Sequence, residues 1–296
     1  MTAPAVGRAG FVREIVDVDC SRATPEEIAR IQTLLFEHRV LVIRDQRLTP
    51  GEYQRFMESL GTPIPHVLQN LTVEGFPTIL KISDYVQPDG APSGVLDGGS
   101  YWHSDMSYLP TLGIATSLYA IRAAPSSGGT SFLDLIEGWR LVSQDRDMLG
   151  LLGCTNPDDA LDVEVVHRFG NRHAVTNAAA ATQRLSAAQR GTLALTRHRL
   201  VERHPVTCRP GLFATSGSAM ELVGLDPEKS THALNRLEEA LLTRLEMYTH
   251  RYQPGDLVIW DNMSTMHRGV GVSPTGNMRH SRLLFRINVN YAGGNA

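Results

Sequence analysis

The chain has 296 residues, of which 42% are hydrophobic and 20% charged, with a formal net charge of -3. This supports a sizeable core, excludes a disordered chain and, with no basic stripe, argues against nucleic acid or an anionic membrane as partner. The three cysteines, Cys20, Cys154 and Cys208, are scattered without CxxC spacing, which excludes a disulfide framework or a Cys-rich zinc site and suits a reducing cytoplasm.

The first residues, MTAPAVGRAG, lack the apolar stretch of a signal peptide. No apolar run reaches the roughly 20 residues that span a bilayer. A soluble cytoplasmic protein is expected. Thr24, followed by Glu26 and Glu27, has the pattern of a helix N-cap with an acidic first turn, and Ile28, Ile31, Leu34 and Leu35 recur at helical spacing to about His38. Val40 to Arg44 reads as a buried strand. Thr49-Pro50 opens a second helix with Pro at its first position. Phe56, Met57 and Leu60 form its apolar face, and Gly61 ends it.

Val86 to Ser100, VQPDGAPSGVLDGGS, is a loop by its Gly, Pro, Asp and Ser content; its length suggests a lid or binding loop. Strands are expected around Trp102–Tyr108, Ile114–Ile121 and Thr130–Leu135. Residues from about 136 to 200, rich in Ala, Leu and Arg, read as a helical and irregular insertion. Further strands are expected at 211–216, 256–262 and 282–290, with an amphipathic helix over 230–250. No Gly-rich phosphate loop follows a strand, which argues against a nucleotide fold.

Chemistry concentrates in WHSDMSY, Trp102 to Tyr108. Along a strand, alternate side chains share a face, so His103 and Asp105 would project together. With a distant histidine they would make a 2-His-1-carboxylate triad, which leaves ligand positions open and suits non-haem Fe(II). His267, just after the strand DLVIW, is the candidate third ligand. The bland alternative for H-x-D is a surface histidine bonded to its neighbouring aspartate. In RLLFRINVN, alternation puts Arg282, Leu284, Arg286, Asn288 and Asn290 on one face and Leu283, Phe285, Ile287 and Val289 on the core face. Buried guanidinium groups must be paired, and arginine binds a carboxylate in bidentate fashion. The two arginines therefore read as a carboxylate clamp, or else sit on an exposed sheet face or pair with internal acids. His204 reads as a turn residue, His167 and His173 as surface groups, and Cys154 and Cys208 as small core residues.

The order W-H-x-D, APSSGGTSFLDL, PGDLVIWDNMSTMHRG and R-x-x-x-R resembles the taurine dioxygenase / 2,4-dichlorophenoxyacetate dioxygenase family of Fe(II)- and 2-oxoglutarate-dependent oxygenases. The likeness extends to LLFEHRVLVIRDQRLTPGEYQRFMESLG and ERHPVTCRPGLFATSGSAMELVGLD, and omits the loop near 86–100 and the segment from about 145 to 200. It implies one mainly β domain over 1–296, a double-stranded β-helix (jelly roll, cupin-like) with flanking helices. It implies that His103, Asp105 and His267 bind Fe(II), that Thr130 and Arg282 hold the distal carboxylate of 2-oxoglutarate, and that Trp260 lies beside the metal. Arg286 matches an arginine that contacts an acidic substrate group in some members, and His66, Asn70 and Tyr101 fall in regions that reach substrate. The stretch from His267 to Arg282 is slightly longer than in the family, so Arg279 competes for the clamp; Arg282 is preferred because it begins the alternating strand. An aspartate at 105 implies oxidation and not halogenation, since related iron halogenases carry a small residue there. The expected activity is O2-dependent hydroxylation, oxidative cleavage or desaturation of a small, anionic organic substrate, with release of succinate and CO2. Family members are commonly dimers or tetramers, so a homo-oligomer is expected. The rival readings are a zinc-dependent hydrolase, which the same triad would permit, or a non-catalytic small-molecule-binding jelly roll.

Overall fold

A computed structural model describes residues 10–66, 68–96, 99–110, 113–124, 128–173, 195–271 and 273–290. In chain order, β1 (Val12–Ile15), α1 (Pro25–His38), β2 (Val40–Ile43), α2 (Pro50–Leu60) and the short strands β3 (Thr62–Pro63) and β4 (Thr72–Val73) lead to β5 (Phe76–Ser83). Then come β6 (Gly113–Arg122), β7 (Gly129–Asp134), α3 (Leu135–Val142), α4 (Arg146–Leu151) and β8 (Glu164–His167). After these follow β9 (Thr196–Arg199), β10 (Val201–Arg203), β11 (Pro210–Leu212), β12 (Ala219–Leu222) and α5 (Pro227–Arg244). The chain closes with β13 (Tyr248–Arg251), β14 (Leu257–Asp261), β15 (Thr265–Val270) and β16 (Leu283–Asn290).

The N-terminal helices form where their caps direct. Thr24 and Thr49 each close a capping box, with Glu27 and Glu52 reaching back to the cap N–H and Pro filling the first helical position. Each cap contributes about 1 kcal/mol. Burial contributes more: Ile31 and Leu35 of α1 and Tyr53, Phe56 and Met57 of α2 are at most 3% exposed, each adding roughly 1.5–3 kcal/mol.

These side chains pack on the outer face of the main sheet, ordered β1-β2-β14-β6-β16-β5-β4 with β3 beside β16. Leu41, Ile43, Leu257, Ile259, Phe285, Ile287 and Val289 point outward into that core. Alternate residues, Val40, Val42, Val258, Trp260, Leu118 and Leu284, point inward and meet Phe132, Tyr248 and Tyr252 of the facing sheet β13-β7-β15. Both faces of the central strands are therefore buried, as the unbroken apolar run of β2 requires. The architecture is the expected jelly roll, and the site lies between its sheets.

Several expected elements differ. Trp102–Tyr108 is no strand: His103 makes a single bridge to His267, and turns follow. Met106 there has φ 62°, a left-handed conformation that no ladder accommodates. The segment 136–200 is not all helical and irregular. Its alternating EVVH and TRHR form β8 and β9, which join β12 in a three-stranded sheet, while residues 174–194 lie outside the described residues. The 230–250 helix ends at Arg244, and Tyr248–Arg251 pairs with β7 as a strand. The described part of the 86–100 loop runs back along β5, tied by Val95 N–H to Lys81 O at 2.7 Å and Ser83 N–H to Val95 O at 3.0 Å. Among the described residues no helix is long and apolar enough to cross a membrane.

Candidate active site

His103 and His267 face one another across an antiparallel bridge. His103 N–H donates to His267 O at 2.9 Å, His267 N–H donates to His103 O at 2.8 Å, and the ring centroids lie 4.3 Å apart. His267 is carried on β15 opposite Phe132 of β7, and Trp260 of β14 flanks its ring at 4.7 Å. Asp105 enters from the turn after the bridge. Its Oδ1 lies 3.6 Å from His103 Nε2 and its Oδ2 3.5 Å from His267 Nε2.

One donor atom from each residue falls within 4.8 Å of the others. Two ligands about 2.1 Å from a shared ion, at angles near 90–120°, stand roughly 3.0–3.6 Å apart, so the spacing fits a divalent transition metal. Polar accounting agrees. Asp105 Oδ2 is buried without a hydrogen-bond partner among the described residues, an arrangement costly unless a cation completes it. His103 Nδ1 lies 2.8 Å from Tyr101 O; donation of that N–H leaves the Nε2 lone pair for a metal.

The charges are set to match. Burial holds His267 well below the ordinary histidine range, aided by His103. Burial opposes ionisation of Asp105, but Arg286 and the two histidines outweigh it and hold the carboxyl well below its usual range. Arg286 Nη2 donates to Asp105 Oδ1 at 2.6 Å, and its Nε donates to Asn288 Oδ1 at 2.9 Å. The two arginines thus divide. Arg286 is paired with an internal acid. Arg282, immediately before β16 and 5% exposed, donates its backbone N–H to Asp84 Oδ1 at 2.6 Å and turns its guanidinium toward Leu96 O at 3.4 Å. Arg279 lies on an exposed 3-10 turn.

Thr130 of β7 is buried, its hydroxyl 3.0 Å from that of Tyr252. A single cavity is lined by His103, Asp105, His267, Thr130, Arg282 and Arg286, with Ile82, Leu96, Leu118, Trp260 and Leu284 as apolar walls. Two glycines let the backbone approach. A Cβ on Gly99 would stand 2.5 Å from His103 Cε1, and one on Gly128, at φ 86°, would stand 3.1 Å from Arg282 Cδ.

The remaining expected residues are more scattered. His66 is half-buried; burial and then Arg286 push its pKa down to about 3, which places it within electrostatic reach of the site. Tyr101 is half-buried, its ring 5.1 Å from that of His103. Asn70 is exposed on the 3-10 turn Gln69–Leu71 and does not line the cavity. Sequence reasoning missed Tyr252, Asn288 and Tyr108. Tyr108 is pushed up to about 12 by burial, against the pull of Arg286. Only the placement of Asn288 on the inward face of β16 was visible beforehand. His204 is a turn residue as expected, its Nδ1 accepting from Val206 N–H and Thr207 N–H at 3.1 Å, but its Nε2 also meets buried Asp261 at 3.2 Å. His167 is not a surface group: it is fully buried in β8. His173 pairs with Glu238 at 2.8 Å. Cys154 is buried, whereas Cys208 is exposed in the 204–208 turn at φ 56°.

A jelly roll whose sheets enclose two histidines, a carboxylate and two arginines has the form of a metal-dependent oxygenase. Residues 3–287 match the taurine catabolism dioxygenase TauD, TfdA family, and the chain belongs to that family. It is 27% identical over 264 residues to pentalenolactone F synthase of Streptomyces arenae, covering 83% of this chain and 82% of that one. It is 26% identical over 275 residues to the alpha-ketoglutarate-dependent 2,4-dichlorophenoxyacetate dioxygenase of Cupriavidus pinatubonensis, covering 88% of each. A taurine dioxygenase structure from Burkholderia xenovorans superposes with a TM-score of 0.70 at 23% identity, covering 95% of this chain and 86% of that one. The protein is therefore an enzyme of the alpha-ketoglutarate-dependent dioxygenase type, and the zinc-hydrolase and non-catalytic alternatives are set aside.

Proposed function

We propose that this enzyme oxidises a C–H bond of a small organic anion, with His103, Asp105 and His267 holding ferrous iron and Thr130 and Arg282 receiving the distal carboxylate of 2-oxoglutarate. The observation that carries the reading is the buried Asp105 Oδ2, without a hydrogen-bond partner among the described residues, between two imidazole nitrogens and in the same cavity as Thr130 and Arg282. When bound, iron and 2-oxoglutarate supply the oxidising power for O2 chemistry, with succinate and CO2 as co-products.

The chain's own residues bind, orient and shield. Tyr101 O fixes the His103 ring, and Arg286 fixes one oxygen of Asp105 and leaves the other to the metal. Tyr252 holds the Thr130 hydroxyl in place. Trp260, Leu118, Leu284 and Leu96 exclude water, which strengthens every charge interaction inside. Leu96 and Gly99 belong to the 86–100 loop, which supports its forming a wall of the pocket.

Arg286 also supports an anionic substrate. Its Nη2 serves Asp105 and its Nε serves Asn288. Asn288 Nδ2, buried beside it, has no partner among the described residues. Guanidinium and amide donors together suit a carboxylate or sulfonate, and the Cupriavidus relative is named for an aryloxy acid.

The test is 2-oxoglutarate- and Fe(II)-dependent succinate release across small carboxylates, sulfonates, amino acids and aryloxy acids. His267→Ala should abolish it. Retained turnover in that variant would remove His267 from the metal site.

A further inference from the structure

Among the described residues, the turn that carries Asp105 has little backbone support of its own. Beyond the His103–His267 bridge, its internal bond is Leu109 N–H to Met106 O at 2.9 Å, and Met106 stands at φ 62°. A non-glycine residue in that region costs on the order of 1–3 kcal/mol and persists only when its surroundings hold it there.

The surroundings come from the three-stranded sheet β12-β8-β9. In β9, Thr196 and His198 are buried while Arg197 and Arg199 are exposed, so the alternation turns one face toward the site. Thr196 Oγ1 donates to Tyr108 O at 3.0 Å. His198 Nε2 donates to Leu109 O at 3.0 Å. Ser218, immediately before β12, shares a hydroxyl hydrogen bond with Ser107, and His167 Nδ1 stands 3.2 Å behind it. On the other side, Ser104 Oγ donates to Thr265 O at 2.8 Å. Three neutral contacts from one sheet thus reach three consecutive residues of the turn, just after the carboxylate.

We infer that the inner face of β12-β8-β9 is the positioning element for Asp105, with Thr196, His198 and Ser218 holding the 105–109 turn where its carboxylate meets His103 and His267. The inference rests on the reading of Asp105 as a metal ligand. It gives β8, β9 and β12 a task in metal binding although, among the described residues, none of their side chains lines the cavity. Thr196, His198 and Ser218 are positioning residues, since they act through the turn.

Outer partners of metal ligands typically change affinity 10–100-fold when removed. The experiment titrates purified protein with Co(II) as probe metal, reading Kd and the visible absorption band, and follows unfolding of each variant. Thr196→Val and His198→Ala should each weaken Co(II) binding about 10-fold and alter the band. His198→Gln, which restores an N–H donor, should recover most of the loss. Leu200→Ala is the control, because Leu200 is fully buried just beyond β9 in a hydrophobic cluster with Trp139, Leu212 and Leu237; it should lower stability with Kd unchanged. Unchanged Kd in folded Thr196→Val and His198→Ala, or an equal loss in Leu200→Ala, would overturn the inference. Asp105→Ala separates the two claims: if it leaves Co(II) affinity intact, the ligand assignment fails; if it abolishes binding while the sheet variants do not, only the positioning role fails.

Discussion

Replacing Arg286 with methionine isolates the charge balance of the site. The Arg286 side chain is 14% exposed and the Asp105 side chain 4%, with 2.6 Å between their charged atoms. For charge centres near 4 Å and an effective dielectric of 20, the attraction is about 4 kcal/mol, and breaking one side of a buried pair costs roughly 3–5 kcal/mol. Metal-free Arg286→Met protein should therefore lose about that much unfolding free energy at neutral pH. The pH dependence should also change. In the wild type the Asp105 carboxyl is held below its unfolded value. Its contribution is then present above the unfolded pKa and lost as pH falls through the folded one. Without Arg286 the first opposing charge is gone and burial draws the carboxyl upward, so its contribution should be smaller and should be lost at a higher pH on acidification than in the wild type. A divalent ion supplies the missing positive charge, so Co(II) should narrow the gap between variant and wild type. Urea unfolding from about pH 2.5 to 8, with chelator and with Co(II), reads all three effects. A metal-free deficit under about 1 kcal/mol, or the same deficit with Co(II), would refute the reasoning.

The remaining predictions concern the two ends of the cavity. Arg282→Gln should raise the KM for 2-oxoglutarate 10–100-fold, the value of a lost charge-assisted contact, with a smaller rise for Thr130→Val; steady-state succinate assays at saturating prime substrate check this, and an effect confined to the prime substrate would reverse the assignment. Tyr252→Phe removes the partner of Thr130 and should raise the same KM a few-fold, about 0.5–1.5 kcal/mol, while leaving Co(II) affinity alone; a changed metal Kd would place Tyr252 in the metal site. Asn288→Asp puts a second carboxylate against Arg286 and should raise the KM of an anionic substrate at least 10-fold with little change for 2-oxoglutarate; an unchanged value would remove Asn288 from substrate binding.

Local chemistry made much of this protein readable from its residues. Thr24 and Thr49 cap helices because the side chain and the N–H groups it satisfies lie within four residues. Alternation in RLLFRINVN separated the core-facing Phe285, Ile287 and Val289 from Arg286 and Asn288, because a strand imposes a period of two wherever it runs. The ordered motifs also identified the jelly roll and the family.

Other features depended on register between distant strands. His103 and Asp105 do converge, but not by strand alternation: a bridge to His267 followed by a left-handed Met106 brings the carboxylate back to both rings. Arg286 meets Asp105 because β16 pairs beside β6 in one register, and a one-residue slip would have sent its side chain to the opposite face. Thr196, His198 and Ser218 reach the turn from a segment that read as an insertion. Sequence alone determined which side chains could carry metal and carboxylate chemistry. Tertiary structure decided which of them meet, because hydrogen bonds between sheets a hundred or so residues apart in the chain leave no local pattern.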